Sequence, residues 1–193
     1  MSAPNKIAVF LGHPDSRSFC GALADSYAGA AKQAGREVRF FKVGEMAFDP
    51  LLDPRDEMAA VEPDLKRAQE ALVWAEHLVF VFPTWWFNWP ARFKGLVDRL
   101  FRAGLAFEPK KDSPLPKQLL KGRSARLIVT AGGPNFYYWF IGGNPAVKAM
   151  KMALGYCGVG PVRSLSCGTV DGSRPEQRNS WLAAAADLGR KGE

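Results

Sequence analysis

Cysteine and histidine are scarce in this chain of 193 residues, and what they fail to form narrows its chemistry. Cys20, Cys157 and Cys167 are odd in number, and none belongs to a Cys-x-x-Cys pair or a Cys/His cluster with metal spacing. Reduced thiols are expected, with no disulfide framework and no metal site. No apolar run approaches the roughly 18 residues that a membrane span needs. The opening "MSAPNKIAVFLGHPDSRS" passes from a short polar lead straight into a strand-like run. An unprocessed cytoplasmic protein without stable membrane insertion is expected. Internal repeats and low-complexity segments are also missing, and with 47% hydrophobic residues the length suits one globular domain over 1–193.

The formal net charge is +7, but the basic residues are dispersed apart from Lys110, Lys111, Lys117, Lys121 and Arg123 in one proline-containing segment. A nucleic-acid partner is therefore not expected. A phosphate-bearing small molecule accounts equally well for a mildly basic chain.

What is present is an alternation of strand and helix patterns. "IAVFL" ends at Gly12, and Phe19, Leu23, Tyr27 and Ala30 then recur at helical spacing up to Gly35. "EVRFFKV" is β-branched and aromatic, and a turn-like "FDP" follows at Phe48 to Pro50. Pro63 suits a first helical turn, with Leu65, Ala68, Leu72 and Ala75 on one face. "LVFVF", Leu78 to Phe82, is apolar without alternation, as befits a strand covered on both faces.

Phe93, Leu96, Val97, Leu100 and Phe101 form a helical stripe, and "ARLIVT" reads as a fourth strand. Between them, Glu108 to Arg123 with its three prolines reads as a long connection carrying at most a short helix. A helix from Pro145 to Gly158, a fifth strand "VRSLSCG" and a helix from Pro175 to Lys191 complete the pattern. This βαβαβαβαβα order predicts five parallel strands with helices on both faces. Ligands of such sheets sit where loops leave the strand C-termini.

Three loops leaving strands are unusual. "GHPDSRSFCG" is neither a Gly-x-Gly-x-x-Gly fingerprint nor a P-loop, but it sets His13, Ser16, Arg17 and Ser18 before a helix N-terminus that favours an anion. Ser18 also serves as a plain helix cap. "PTWWFNWP" offers planar apolar surfaces in Trp85, Trp86, Phe87 and Trp89, suited to stacking on a ring system or to packing an interface. "TAGGPNFYY" offers Gly132 and Gly133 for close backbone approach, and phenolic hydroxyls on Tyr137 and Tyr138. Phosphate at one end and a flat ring at the other describe a flavin nucleotide.

With these stretches the chain resembles the flavodoxin-fold NAD(P)H:quinone oxidoreductases, closely over Ile7 to Ala106 and more loosely as far as Cys157; "FPTWWFNWPARFKGLVDRLF" is the most specific block. The resemblance implies a flavodoxin-like three-layer αβα fold with strand order 2-1-3-4-5. It also implies two-electron ping-pong hydride transfer from NAD(P)H through FAD, or alternatively FMN, to a quinone, in a homodimer whose sites lie at the interface. An alternative within the same resemblance is a flavin-binding ancillary subunit of a potassium-efflux system.

By position, His13, Arg17, Ser18, Phe19 and Cys20 fall where the family contacts the flavin phosphates, most members having Asn where this chain has Cys20. Pro83, Thr84, Trp85, Trp86 and Phe87 match the loop along the isoalloxazine, and Thr130, Ala131, Gly132 and Gly133 the loop facing its pyrimidine side. Tyr138 matches a tyrosine that works with a histidine as charge relay, and Asn144 stands six residues on with no histidine near it. Phe107, Phe136 and Trp139 are candidates for the substrate wall supplied by a partner chain, and His77 is expected to be structural.

Overall fold

The computed structural model describes residues 3–52, 61–140 and 143–193. Five strands form one parallel sheet: β1 (Lys6–Leu11), β2 (Glu37–Lys42), β3 (His77–Pro83), β6 (Ser124–Thr130) and β7 (Val162–Cys167). Their order is β2-β1-β3-β6-β7. Counting the parallel strands alone, this is the 2-1-3-4-5 order the sequence implies.

Strand alternation divides the core in two. Ala8, Phe10, Leu78, Phe80 and Phe82 point to the face covered by α2 (Pro63–Trp74), α3 (Ala91–Leu100) and α5 (Pro145–Tyr156). Ile7, Val9, Leu11, Val79 and Val81 point to the face covered by α1 (Phe19–Gln33) and α6 (Pro175–Lys191). The result is three layers, and β3 is buried along its whole length, which is why its sequence shows no polar alternation.

The segment after α3 departs from expectation. In place of a connection with a short helix it folds as an antiparallel ribbon, β4 (Phe107–Lys110) with β5 (Ser113–Gln118). Pro109, Pro114 and Pro116 lack donors but fit a two-stranded ribbon, because each strand has a free edge where no donor is needed. The register shifts between Glu108 and Lys110, at Pro109, and Lys117 pairs with Glu108 at 2.9 Å. A short helix, α4 (Asn135–Phe140), follows the Gly-Gly-Pro turn.

Three loops are anchored by a ladder bond just beyond the strand that feeds each. Gly12 N–H donates to the Val81 carbonyl at 2.7 Å, Thr84 N–H to Thr130 at 2.7 Å, and Ala131 N–H to Cys167 at 2.9 Å.

Candidate active site

Those three loops, with the start of the loop after β7, line a cavity of about 870 Å³ at the C-terminal edge of the sheet. From the first loop it receives His13, Ser18, Phe19 and Cys20. Ser18 caps α1, its Oγ accepting from Gly21 N–H at 3.3 Å. Gly21 has to lack a side chain, because a Cβ there would sit 1.8 Å from the Ser16 carbonyl oxygen. His13 Nδ1 lies 3.0 Å from the Asp15 N–H and 2.9 Å from its carbonyl oxygen, and its ring meets Trp85 edge-on at 5.6 Å.

Arg17 and Ser16 do not line the cavity. The Arg17 guanidinium folds onto Asp15, Nε to Oδ1 at 3.1 Å. Bonds from the Arg17 backbone and then its side chain hold the Asp15 carboxyl below its ordinary pKa.

Cys20 is buried, and its sulfur is 3.1 Å from Thr130 Oγ1. Burial pushes this thiol up to about 12, so it stays protonated. Cys157 and Cys167 are also free and buried, pushed up to about 11 and about 12 in the same way.

The tryptophan loop contributes Pro83, Thr84, Trp85 and Trp86. Trp85 and Asn88 exchange N–H to carbonyl bonds of 2.9 Å each, closing a tight turn. Its two central residues, Trp86 and Phe87, take φ of 49° and 63°. Bulky side chains in that region carry a strain of about 1–3 kcal/mol each. The turn turns the Trp86 indole outward, 95% exposed. Phe87 does not line the cavity but packs on Tyr138 at 5.5 Å. Trp89 belongs to the core: it meets Phe82 and Phe93 edge-on, and its Nε1–H donates to the Ala146 carbonyl at 2.9 Å.

The third loop brings Thr130, Ala131, Gly132 and Tyr138 to the cavity. Gly133 stands behind the Tyr138 ring, where a Cβ would lie 3.1 Å from Cε2. Asn144 is joined to Tyr138 only through backbone, its N–H donating to the Tyr138 carbonyl at 2.7 Å. The Asn144 residue lines a separate cavity with Val147 and Lys148. Phe107 is turned to Tyr156, ring centroids 5.3 Å apart, and Phe136 is exposed on α4; neither lines the cavity of its own chain. The side chain of Trp139 lies outside the described residues.

Two lining residues, Val170 and Asp171, were not singled out in the sequence. Their only signal is that they follow a strand on the same edge. Among the described residues, the N–H groups of Phe19, Cys20, Trp86, Phe87, Gly132 and Gly133 have no acceptor. The chain thus presents unused backbone donors on all three loops, between aromatic faces.

A family model described as flavodoxin-like fold matches residues 5–189. The chain belongs to the flavodoxin-like fold family. It is 25% identical over 189 residues to an uncharacterized NAD(P)H oxidoreductase of Haemophilus influenzae, covering 94% of this chain and 92% of that one. It is 26% identical over 159 residues to the NAD(P)H dehydrogenase (quinone) 1 of Cavia porcellus. That match takes in 72% of this chain but 57% of the longer relative. The crystal structure of Smu.1420 from Streptococcus mutans superposes with a TM-score of 0.83 at 27% identity, covering 95% of this chain and 98% of that one.

Proposed function

We propose that this flavodoxin-like chain is a flavin-dependent NAD(P)H:quinone oxidoreductase. The observation that carries the proposal is the set of N–H groups on Phe19, Cys20, Trp86 and Gly132, unpartnered among the described residues and belonging to three loops that line one cavity with Trp85 and Tyr138. Donors without side-chain charge suit a phosphate at one end and the polar edge of a planar ring at the other. The names of the relatives, an NAD(P)H oxidoreductase and a quinone dehydrogenase, agree with this chemistry.

The N–H groups of Phe19 and Cys20, at the positive end of the α1 dipole, would hold the phosphate together with Ser18 and His13. The N–H groups of Trp86 and Gly132 would orient the ring edge, with the Trp85 indole as an apolar wall and the exposed Trp86 indole at the mouth. Bound there, a flavin supplies two-electron exchange between a nicotinamide and a quinone in alternating half-reactions. Tyr138 holds a proton on its phenolic oxygen at the cavity and offers it as a hydrogen bond to an acceptor oxygen gaining charge. Thr84 and Thr130, both buried and lining the cavity, would keep water from its floor.

A second cavity, of about 780 Å³, lies across the loop after β7, lined by Thr169, Ser173, Arg174 and Trp181. Trp181 contacts Phe19 of the first cavity, ring centroids 6.0 Å apart. This adjoining space suits the adenosine half of FAD; FMN would use the first cavity alone. Exposed Trp86, Phe136 and Phe140 suit a homodimer covering the site.

The test is the absorption spectrum of the purified protein, mass identification of the released flavin, and anaerobic titration with NADH and with NADPH. Protein that purifies colourless and fails to bind added FAD or FMN would overturn the proposal.

A further inference from the structure

We propose that the opposite edge of the sheet carries a second binding site, for a small oxoanion, between Arg126 and Arg163. The two arginines are register partners on β6 and β7 and border a cavity of about 340 Å³ with His77, Ser124 and Lys191. Buried arginine is uncommon unless paired, yet Arg126 is 7% exposed and, among the described residues, its Nε has no partner. The same holds for His77 Nε2, at 2% exposure, and for the Tyr27 hydroxyl. The atoms on Arg126 and His77 belong to residues that border this cavity, and buried polar atoms left without partners among the described residues mark a place built to meet a ligand.

The chemistry there selects an anion. Arg36 adds a further cation to the field that Arg126 and Arg163 create. Burial first, and then Arg126 and Arg36, hold the His77 imidazole down to about 3, so it is neutral at physiological pH. Its Nδ1 is 2.7 Å from Ser124 Oγ. In the tautomer in which Ser124 donates to Nδ1, Nε2–H is a donor.

The Glu193 carboxylate already borders the position loosely, 3.3 Å from Arg163 Nη1 and 3.8 Å from Arg126 Nη2. That carboxylate leaves Arg126 Nε and His77 Nε2 unused. An anion with three or four acceptor oxygens can bridge the two guanidiniums, and it engages the enclosed Arg126 Nε and His77 Nε2 once the side chains around them yield. Glu193 therefore acts as a weak resident competitor for the site.

The chain has two histidines, one at each cavity, so each reports on its own site. Inorganic phosphate titrated at fixed ionic strength, followed by long-range proton–nitrogen NMR of the imidazoles, tests the proposal. The His77 resonances are expected to shift saturably. Half-saturation should fall roughly three- to tenfold in Glu193→Gln, the scale expected for removing an exposed competing charge. The His77 response should vanish in Arg163→Gln, whose side chain is 59% exposed, so that folding should be little affected, while any His13 response persists. A shift confined to His13, or a His77 shift that Arg163→Gln leaves unchanged, would overturn the proposal.

Discussion

The sulfur of Cys20 lies 3.1 Å from the hydroxyl oxygen of Thr130, tying the first turn of α1 to the C-terminal end of β6. Cys20 is 2% exposed, so this contact lies out of solvent. Cys20 is therefore a packing and hydrogen-bonding group.

Its reactivity follows. With all three thiols buried and raised to about 11 or 12, native protein at pH 8 should resist iodoacetamide. Unfolded protein should be alkylated at all three within the same interval, as mass spectrometry would count. Fast alkylation of native Cys20 would contradict its burial.

Trp86 and Trp89 should part company when each is cut to alanine. Trp86 is 95% exposed, so Trp86→Ala should change apo-protein stability by no more than about 0.5 kcal/mol. Flavin affinity should nevertheless fall on the order of tenfold or more, read by flavin fluorescence. Trp89→Ala, emptying a core position and leaving the Ala146 carbonyl without its donor, should cost about 3–5 kcal/mol in chemical denaturation.

Tyr138 and Asn144 should behave independently. Tyr138→Phe keeps the ring packed on Phe87 and removes the hydroxyl, and should lower kcat by about tenfold or more with a smaller change in KM. Asn144→Ala should leave kcat within about twofold, since the residue lines a different cavity and meets Tyr138 only through backbone. Equal losses in the two variants would restore a side-chain relay between them.

His77 should set part of the acid limb of stability. Its folded pKa is about 3 against an ordinary 6.5, so the unfolded chain binds the extra proton. The contribution is whole above pH 6.5 and drains as pH falls from 6.5 toward 3. Between pH 7 and pH 5 the loss should be roughly 2 kcal/mol. His77→Asn, which can keep an acceptor for Ser124, should flatten denaturation midpoints over that interval.

The parallel sheet was legible because its strands are short apolar runs separated by helical stripes with proline and glycine punctuation. The ribbon of β4 and β5 was not, since prolines at 109, 114 and 116 obscure a strand signal and its pairing is visible only in three dimensions. The site loops were legible from their place after strands and from the resemblance they carry. Val170 and Asp171 were not, because "TVDG" has no distinctive chemistry until the fold brings it beside Gly132. Trp89 shows a deeper limit: one loop holds an indole that supports the core and another that faces solvent, and spacing alone does not separate them.

The ladder bonds at Gly12, Thr84 and Ala131 fix the floor of the cavity when the sheet forms. A ligand arriving there has little backbone left to order, apart from the tip of the tryptophan turn. Most of the entropy of assembling the site is spent during folding, so capture should proceed at one concentration-dependent rate without a slow rearrangement after encounter.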